Sequence, residues 1–128
     1  MKQLVLDTNI FLRLLIEDVP YQFQESKAVF TEIEEGKIKG LVSILVINEL
    51  VWVLEKFYKQ ERRLYLPHLL SLVTLRHIRI FDTRKSLVIK VLERMQIQKF
   101  DFTDIYLATQ FPRTEIFSFD KDFDKLYR

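Results

Sequence analysis

Short apolar runs alternate with longer stretches of helical period along this 128-residue chain, and that alternation constrains its fold more than any other feature. Residues 2–6 read as a buried strand, Gly40 to Ser43 as a second, Ile78 to Phe81 as a third and Glu115 to Phe119 as a fourth. Between them, Phe11, Leu14 and Leu15 recur at helical spacing after Thr8 or Asn9, either of which can cap a helix running to Glu17. Pro20 suits the first turn of the next helix, which runs to Glu35 with Gly36 as its C-cap. Further helices are expected over Leu45–Tyr58, Leu64–Arg76, Thr83–Gln98, Phe102–Gln110 and Phe123–Tyr127. Strands separated by helices cannot pair as hairpins, so the pattern predicts an α/β fold with a parallel sheet and helices on both faces. Ligand sites in such sheets lie beyond the carboxyl ends of the strands.

Length and composition restrict the function classes. A chain of 128 residues that is 48% hydrophobic makes one domain with one core, residues 1–128. Two glycines and three prolines leave little room for linkers. With no cysteine there is no disulfide framework, thiolate zinc site or cysteine nucleophile. No apolar stretch reaches the ~18 residues of a membrane span, and the first residues do not read as a signal peptide. The expectation is a soluble cytoplasmic protein without membrane partners. A net charge of +2 decides little by itself.

The acids carry more information. Leu4-Val5-Leu6 runs straight into Asp7, Glu49 interrupts two apolar runs, Asp104 opens an apolar helix, and Asp120 follows Ile116-Phe117-Ser118-Phe119. A carboxylate in such a setting is costly unless paired or bound to a metal, and several together repel unless a cation neutralises them. Hard oxygen ligands suit Mg²⁺ or Mn²⁺, whose chemistry includes assisted phosphodiester hydrolysis. Each acid has a plainer use: Asp7 or Asp101 as a helix cap, Glu49 on an exposed helix face, Asp104 as a first-turn charge, Asp120 and Asp122 in a turn. The ordered set points further than its members.

Four blocks in that order resemble the signatures of PIN-domain ribonucleases: Leu4 to Arg13, Ser43 to Leu54, Asp101 to Ala108 and Ser118 to Phe123. The short single-domain form most resembles VapC toxins of VapBC toxin–antitoxin modules. The resemblance implies a three-layer α/β fold with a central parallel sheet of four to five short strands flanked by helices. It also implies an endoribonuclease using one or two Mg²⁺ or Mn²⁺ ions. By the same resemblance Asp7 and Asp104 match the acids most directly tied to metal, Glu49 the third and Asp120 the fourth. Asp122 and Asp101 are supporting candidates, and Asn9 and Ser118 match polar positions that orient the acids or a water. Ile105-Tyr106 departs mildly from the smaller residues frequent there. The implied partners are an RNA substrate, a VapB-type antitoxin whose tail covers the active groove, and a second copy of the chain.

Among the cations, Arg13, Arg62 and Arg63, with Arg76 and Lys85, are candidate RNA-backbone contacts, each with an ordinary surface or ion-pair role as its alternative. His68 and His77 sit away from the acidic blocks. Trp52 and Val53 read as core. Two rival functions remain open: a PIN-like module that binds RNA or protein without cutting, and a phosphotransfer domain using Asp7 as acceptor.

Overall fold

The alternation becomes three parallel strands and seven α-helices in a computed structural model that describes all 128 residues. In chain order these are β1 (Lys2–Val5), α1 (Thr8–Ile16), α2 (Pro20–Glu34), β2 (Ile38–Val42), α3 (Ile44–Trp52), α4 (Arg62–Val73), β3 (Ile78–Ile80), α5 (Lys85–Met95), α6 (Phe102–Gln110) and α7 (Asp122–Leu126). A π-helical turn, Val53–Phe57, extends α3, and a 3₁₀ turn, Arg113–Glu115, precedes α7. The sheet order is β1-β2-β3, with Leu4 beside Gly40 and Gly40 beside Ile78. Helices flank it around one core of 27 buried apolar residues.

Local chemistry explains the boundaries. Asp7, rather than Thr8 or Asn9, caps α1: its Oδ1 accepts from the amides of Asn9 (3.1 Å) and Ile10 (3.3 Å). Gly36 takes φ 81°, a left-handed conformation that costs a glycine little, and lets the Lys37 amide reach back to the Glu32 carbonyl and close α2. β2 begins at Ile38, two residues before the expected Gly40, and Ser43 becomes the N-cap of α3, its Oγ accepting from the Leu45 amide. In α3 and its extension Ile47, Leu50, Val51 and Leu54 form the buried stripe. Trp52 lies off that stripe and is 61% exposed, so the core position expected from sequence is not the one it takes.

Gly40 serves a close approach. A Cβ there would stand 2.7 Å from Ile78 Cδ1 and 3.0 Å from Leu6 Cδ1, inside the packed core. Gly40→Ala is expected to lower unfolding stability by roughly 1 to 2 kcal/mol through overpacking, and denaturant titration measures this.

The sheet differs from the expected four to five strands. Residues 116–119 are irregular and pair with no strand, so β1 and β3 are its two edges. The period-2 alternation of Ile116-Phe117-Ser118-Phe119 suited a strand, but Arg113 intervenes. Its Nη1 donates to the Ile116 carbonyl at 2.8 Å and its guanidinium pairs with Asp124 at 2.8 Å, curling the segment toward α7. Phe117 and Phe119 are left 89% and 93% exposed, edge to face on each other at 5.5 Å.

Candidate active site

Because the strands are parallel, their carboxyl ends share one edge of the sheet. Asp7 follows β1, Ser43 follows β2 and Asp82 follows β3. Asp82 is absent from the acids expected above, although it carries the same signal as Asp7, an acid directly after an apolar strand, in Ile78-Arg79-Ile80-Phe81-Asp82. Asp82 Oδ2 accepts from the Ser43 hydroxyl at 2.5 Å and its Oδ1 from the Ile44 amide at 2.9 Å. Desolvation pushes this carboxyl upward, but the bonds from Ser43 and Ile44 outweigh it and hold its pKa below the usual carboxylate range. Asp82→Ala is expected to cost about 1 kcal/mol at neutral pH, the scale of a lost cap. A depressed folded-state pKa means that this contribution is present above the unfolded-state value and is lost as pH falls through the folded one. The stability gap between wild type and variant should therefore narrow as pH falls below the usual carboxylate range, which paired denaturation curves at neutral and acid pH measure.

Three acids cluster where the starts of α6 and α7 meet. Asp104 sits in the first turn of α6, half-buried. Asp120 and Asp122 lie just before and at the start of α7. One carboxylate oxygen from each of the three comes within 4.8 Å of the others. Nested turns hold the Asp120 segment: Ser118 Oγ accepts from the Asp120 amide at 3.0 Å, and Asp120 Oδ1 accepts from the Asp122 amide at 2.9 Å. The Arg113–Asp124 pair and the Tyr127 hydroxyl on the Phe111 carbonyl fasten the surrounding segment. Burial first, and then the charges of Asp101, Asp120 and Asp122, push the Asp104 carboxyl above its usual range. Three oxygens converging under mutual repulsion are a donor set that a hard divalent cation fits, since its charge removes the repulsion that gathers there.

Asp7 and Glu49 do not join the three-acid group. Asp7 lines a separate cleft of about 210 Å³ with Asn9, Arg13 and Glu25. Glu49 is exposed on α3. Asp101 is the N-cap of α6 without a capping side-chain bond, and it lines with Asp104 a cleft of about 170 Å³ against α3. Thr103 donates to Asn48 Oδ1 at 3.4 Å and links α6 to α3 across that cleft. His68 and His77 stand outside the acidic group.

Most of the proposed phosphate-binding cations have protein partners. Arg13 Nη1 donates to Asp18 at 2.9 Å and to the Tyr58 hydroxyl at 3.4 Å. Hydrogen bonds to Tyr58 and then Asp18 hold its guanidinium even more firmly charged. Arg62 forms a two-pronged pair with Glu55, at 2.7 and 3.2 Å, and donates to the Gln98 carbonyl at 2.9 Å. The Tyr65 hydroxyl donates to the same Glu55 carboxylate, and burial followed by Glu55 pushes that phenol far upward. Lys85 Nζ donates to the carbonyls of Leu75 (2.6 Å) and Ile78 (2.7 Å), and desolvation lowers its pKa. Lys85 thus ties α5 to the loop before β3 and to β3 itself. Arg63 pairs with Glu61 in the open.

No helix is long and apolar enough to cross a membrane. Neither the curated proteins nor the solved structures contain a match to this chain. The family model for the PIN domain matches residues 4–128. PIN domains are usually nucleases and typically use divalent metals. An α/β fold with a parallel sheet flanked by helices, and a family match over nearly every residue, establish that this chain belongs to the PIN domain family.

Proposed function

We propose that this chain is a metal-dependent endoribonuclease, the toxin of a VapBC-type module held inactive by a VapB-type antitoxin. The convergence of Asp104, Asp120 and Asp122 within 4.8 Å, inside a PIN domain, supports the nuclease reading, and the toxin role rests on the resemblance of the four sequence blocks to VapC toxins. Those three residues would hold the ion, and Asp7 and Glu49, which match the family's acids, complete the set of catalytic candidates. One or two Mg²⁺ or Mn²⁺ ions, when bound, supply Lewis acidity toward a phosphoryl oxygen and lower the pKa of a bound water. The protein contributes the fixed placement of charge. Ser118 and the Asp122 amide orient the Asp120 turn, and the α6 amides favour negative charge at Asp104. Exposed Phe117 and Phe119 beside Asp120 offer apolar area for an antitoxin tail or a second copy, consistent with a homodimer.

The test is cleavage of total cellular RNA with and without Mg²⁺ or Mn²⁺, with Asp104→Asn alongside. Discrete metal-dependent cuts lost in the variant support the nuclease. Cleavage that persists in EDTA, or in the variant, overturns it. The toxin role is read from growth arrest on expression of the wild type, absent with Asp104→Asn and relieved by the product of an adjoining small reading frame.

A further inference from the structure

The cleft between α3 and α6 is not accounted for by the acids alone. Asn48, Trp52 and Lys56 follow one another at four-residue spacing and line one cleft, with Asp101 and Asp104 on its opposite wall. The stripe spans about 12 Å along the helix axis. Its near end is fixed, because Asn48 is bonded to Thr103, the residue before Asp104. At its far end Lys56 is exposed and takes no part in any ion pair. Between them stands Trp52, 61% exposed and the only tryptophan of the chain. Glu55 and Arg62 also line the cleft, but they neutralise each other, which leaves Lys56 to set the charge of that end.

We propose that this stripe is a nucleotide subsite: one unstacked base of a single-stranded RNA lies on the Trp52 ring, with a neighbouring phosphate on Lys56. The inference rests on the nuclease reading above and adds to it the residues that hold a base and its neighbouring phosphate. The observations favour RNA over a protein occupant. Only three of the ten residues lining the cleft are apolar, whereas protein docking grooves depend on apolar area. An exposed indole beside a free ammonium matches the two features of a nucleic acid strand, a π-face and a phosphate. The Asn48 side chain, one turn from Trp52, adds an amide within the same cleft for a base edge. Duplex RNA keeps its bases stacked and presents no free face to Trp52, so an unpaired segment is required.

Because Trp52 is the sole tryptophan, its fluorescence reports on the subsite directly. Wild-type protein in EDTA, which prevents cleavage, is titrated with a short single-stranded oligoribonucleotide and with a duplex of the same sequence. Saturable quenching by the single strand, and little by the duplex, is the expected result. In the cleavage assay with metal, Trp52→Ala should raise KM about tenfold with little change in kcat, and Trp52→Phe should restore most of the loss. Lys56→Ala should weaken binding and flatten its dependence on salt. Circular dichroism confirms that each variant is folded, which is expected for exposed positions. Unmoved Trp52 emission, together with wild-type KM in Trp52→Ala, overturns the subsite and leaves the nuclease standing. Absence of any RNA cleavage by folded wild type with metal overturns the nuclease, whatever the fluorescence shows. Emission that shifts with protein concentration in the absence of RNA assigns the face to a second copy of the chain and overturns the proposal.

Discussion

Asp104→Asn should slow metal-dependent RNA cleavage by roughly a hundredfold or more, the scale on which loss of one fixed charge-stabilising group slows an enzyme, while leaving the fold intact. The two halves of this expectation have separate causes. Asp104 faces Asp120 and Asp122 closely enough to share a cation, and the amide keeps its shape but loses its charge. The same substitution removes repulsion from a half-buried carboxylate whose side chain holds no other part of the structure together. In EDTA the variant should therefore melt at the wild-type temperature or slightly above it. Adding Mg²⁺ or Mn²⁺ should raise the melting temperature of the wild type and not that of the variant, because an ion that binds only the folded state stabilises it by mass action. Thermal melts across a metal titration read this independently of any RNA. A variant that melts far below wild type would instead assign Asp104 a structural role.

Arg62→Ala should destabilise the protein by about 2 to 3 kcal/mol, less than the full cost of breaking a buried ion pair because both partners retain some solvent contact. Arg62 joins three places in the chain: Glu55 on the π-helical turn, its own position at the start of α4, and the Gln98 carbonyl after α5. Its removal leaves Glu55 with only the Tyr65 hydroxyl in a crowded setting. The melting temperature should fall by roughly 10 °C. RNA affinity of the folded fraction, measured well below the transition, should fall as well, because Glu55 is then left unneutralised in the cleft that Lys56 lines. A stable Arg62→Ala protein with selectively weakened RNA binding would return Arg62 to the role of phosphate contact.

These two residues illustrate how far sequence carries. Asp104 was visible because an acid opening an apolar helix is a local pattern. Asp120 was visible because it ends an apolar run. Asp122 was a supporting candidate from its place in the same block, and its place among the three closest acids is a matter of how the turn at Ser118–Asp122 winds. Arg62 was read as a candidate RNA-backbone contact or an ordinary surface cation, because nothing local announces Glu55 as its partner. The π-helical turn that aims Glu55 at Arg62 and Tyr65 has no short sequence signature. Trp52 shows the same limit in reverse. A tryptophan among Leu50, Val51, Val53 and Leu54 reads as core, and only the phase of the buried stripe turns it outward. For Phe117 and Phe119 the period of the side chains suited a strand, but a strand also needs a partner edge, and Arg113 draws the segment's carbonyl away from one.

Sequence by itself therefore determined the α/β class, the parallel direction of the strands and the acids at the ends of apolar runs, because periodicity, capping and the cost of an unpaired carboxylate act over a few neighbouring residues. Tertiary structure alone decided which acids converge, which cations are spent on ion pairs and which aromatic ring remains open to solvent. Those outcomes depend on contacts between residues far apart in the chain, such as Asp104 with Asp120 and Arg62 with Gln98, whose geometry is set only when the helices pack.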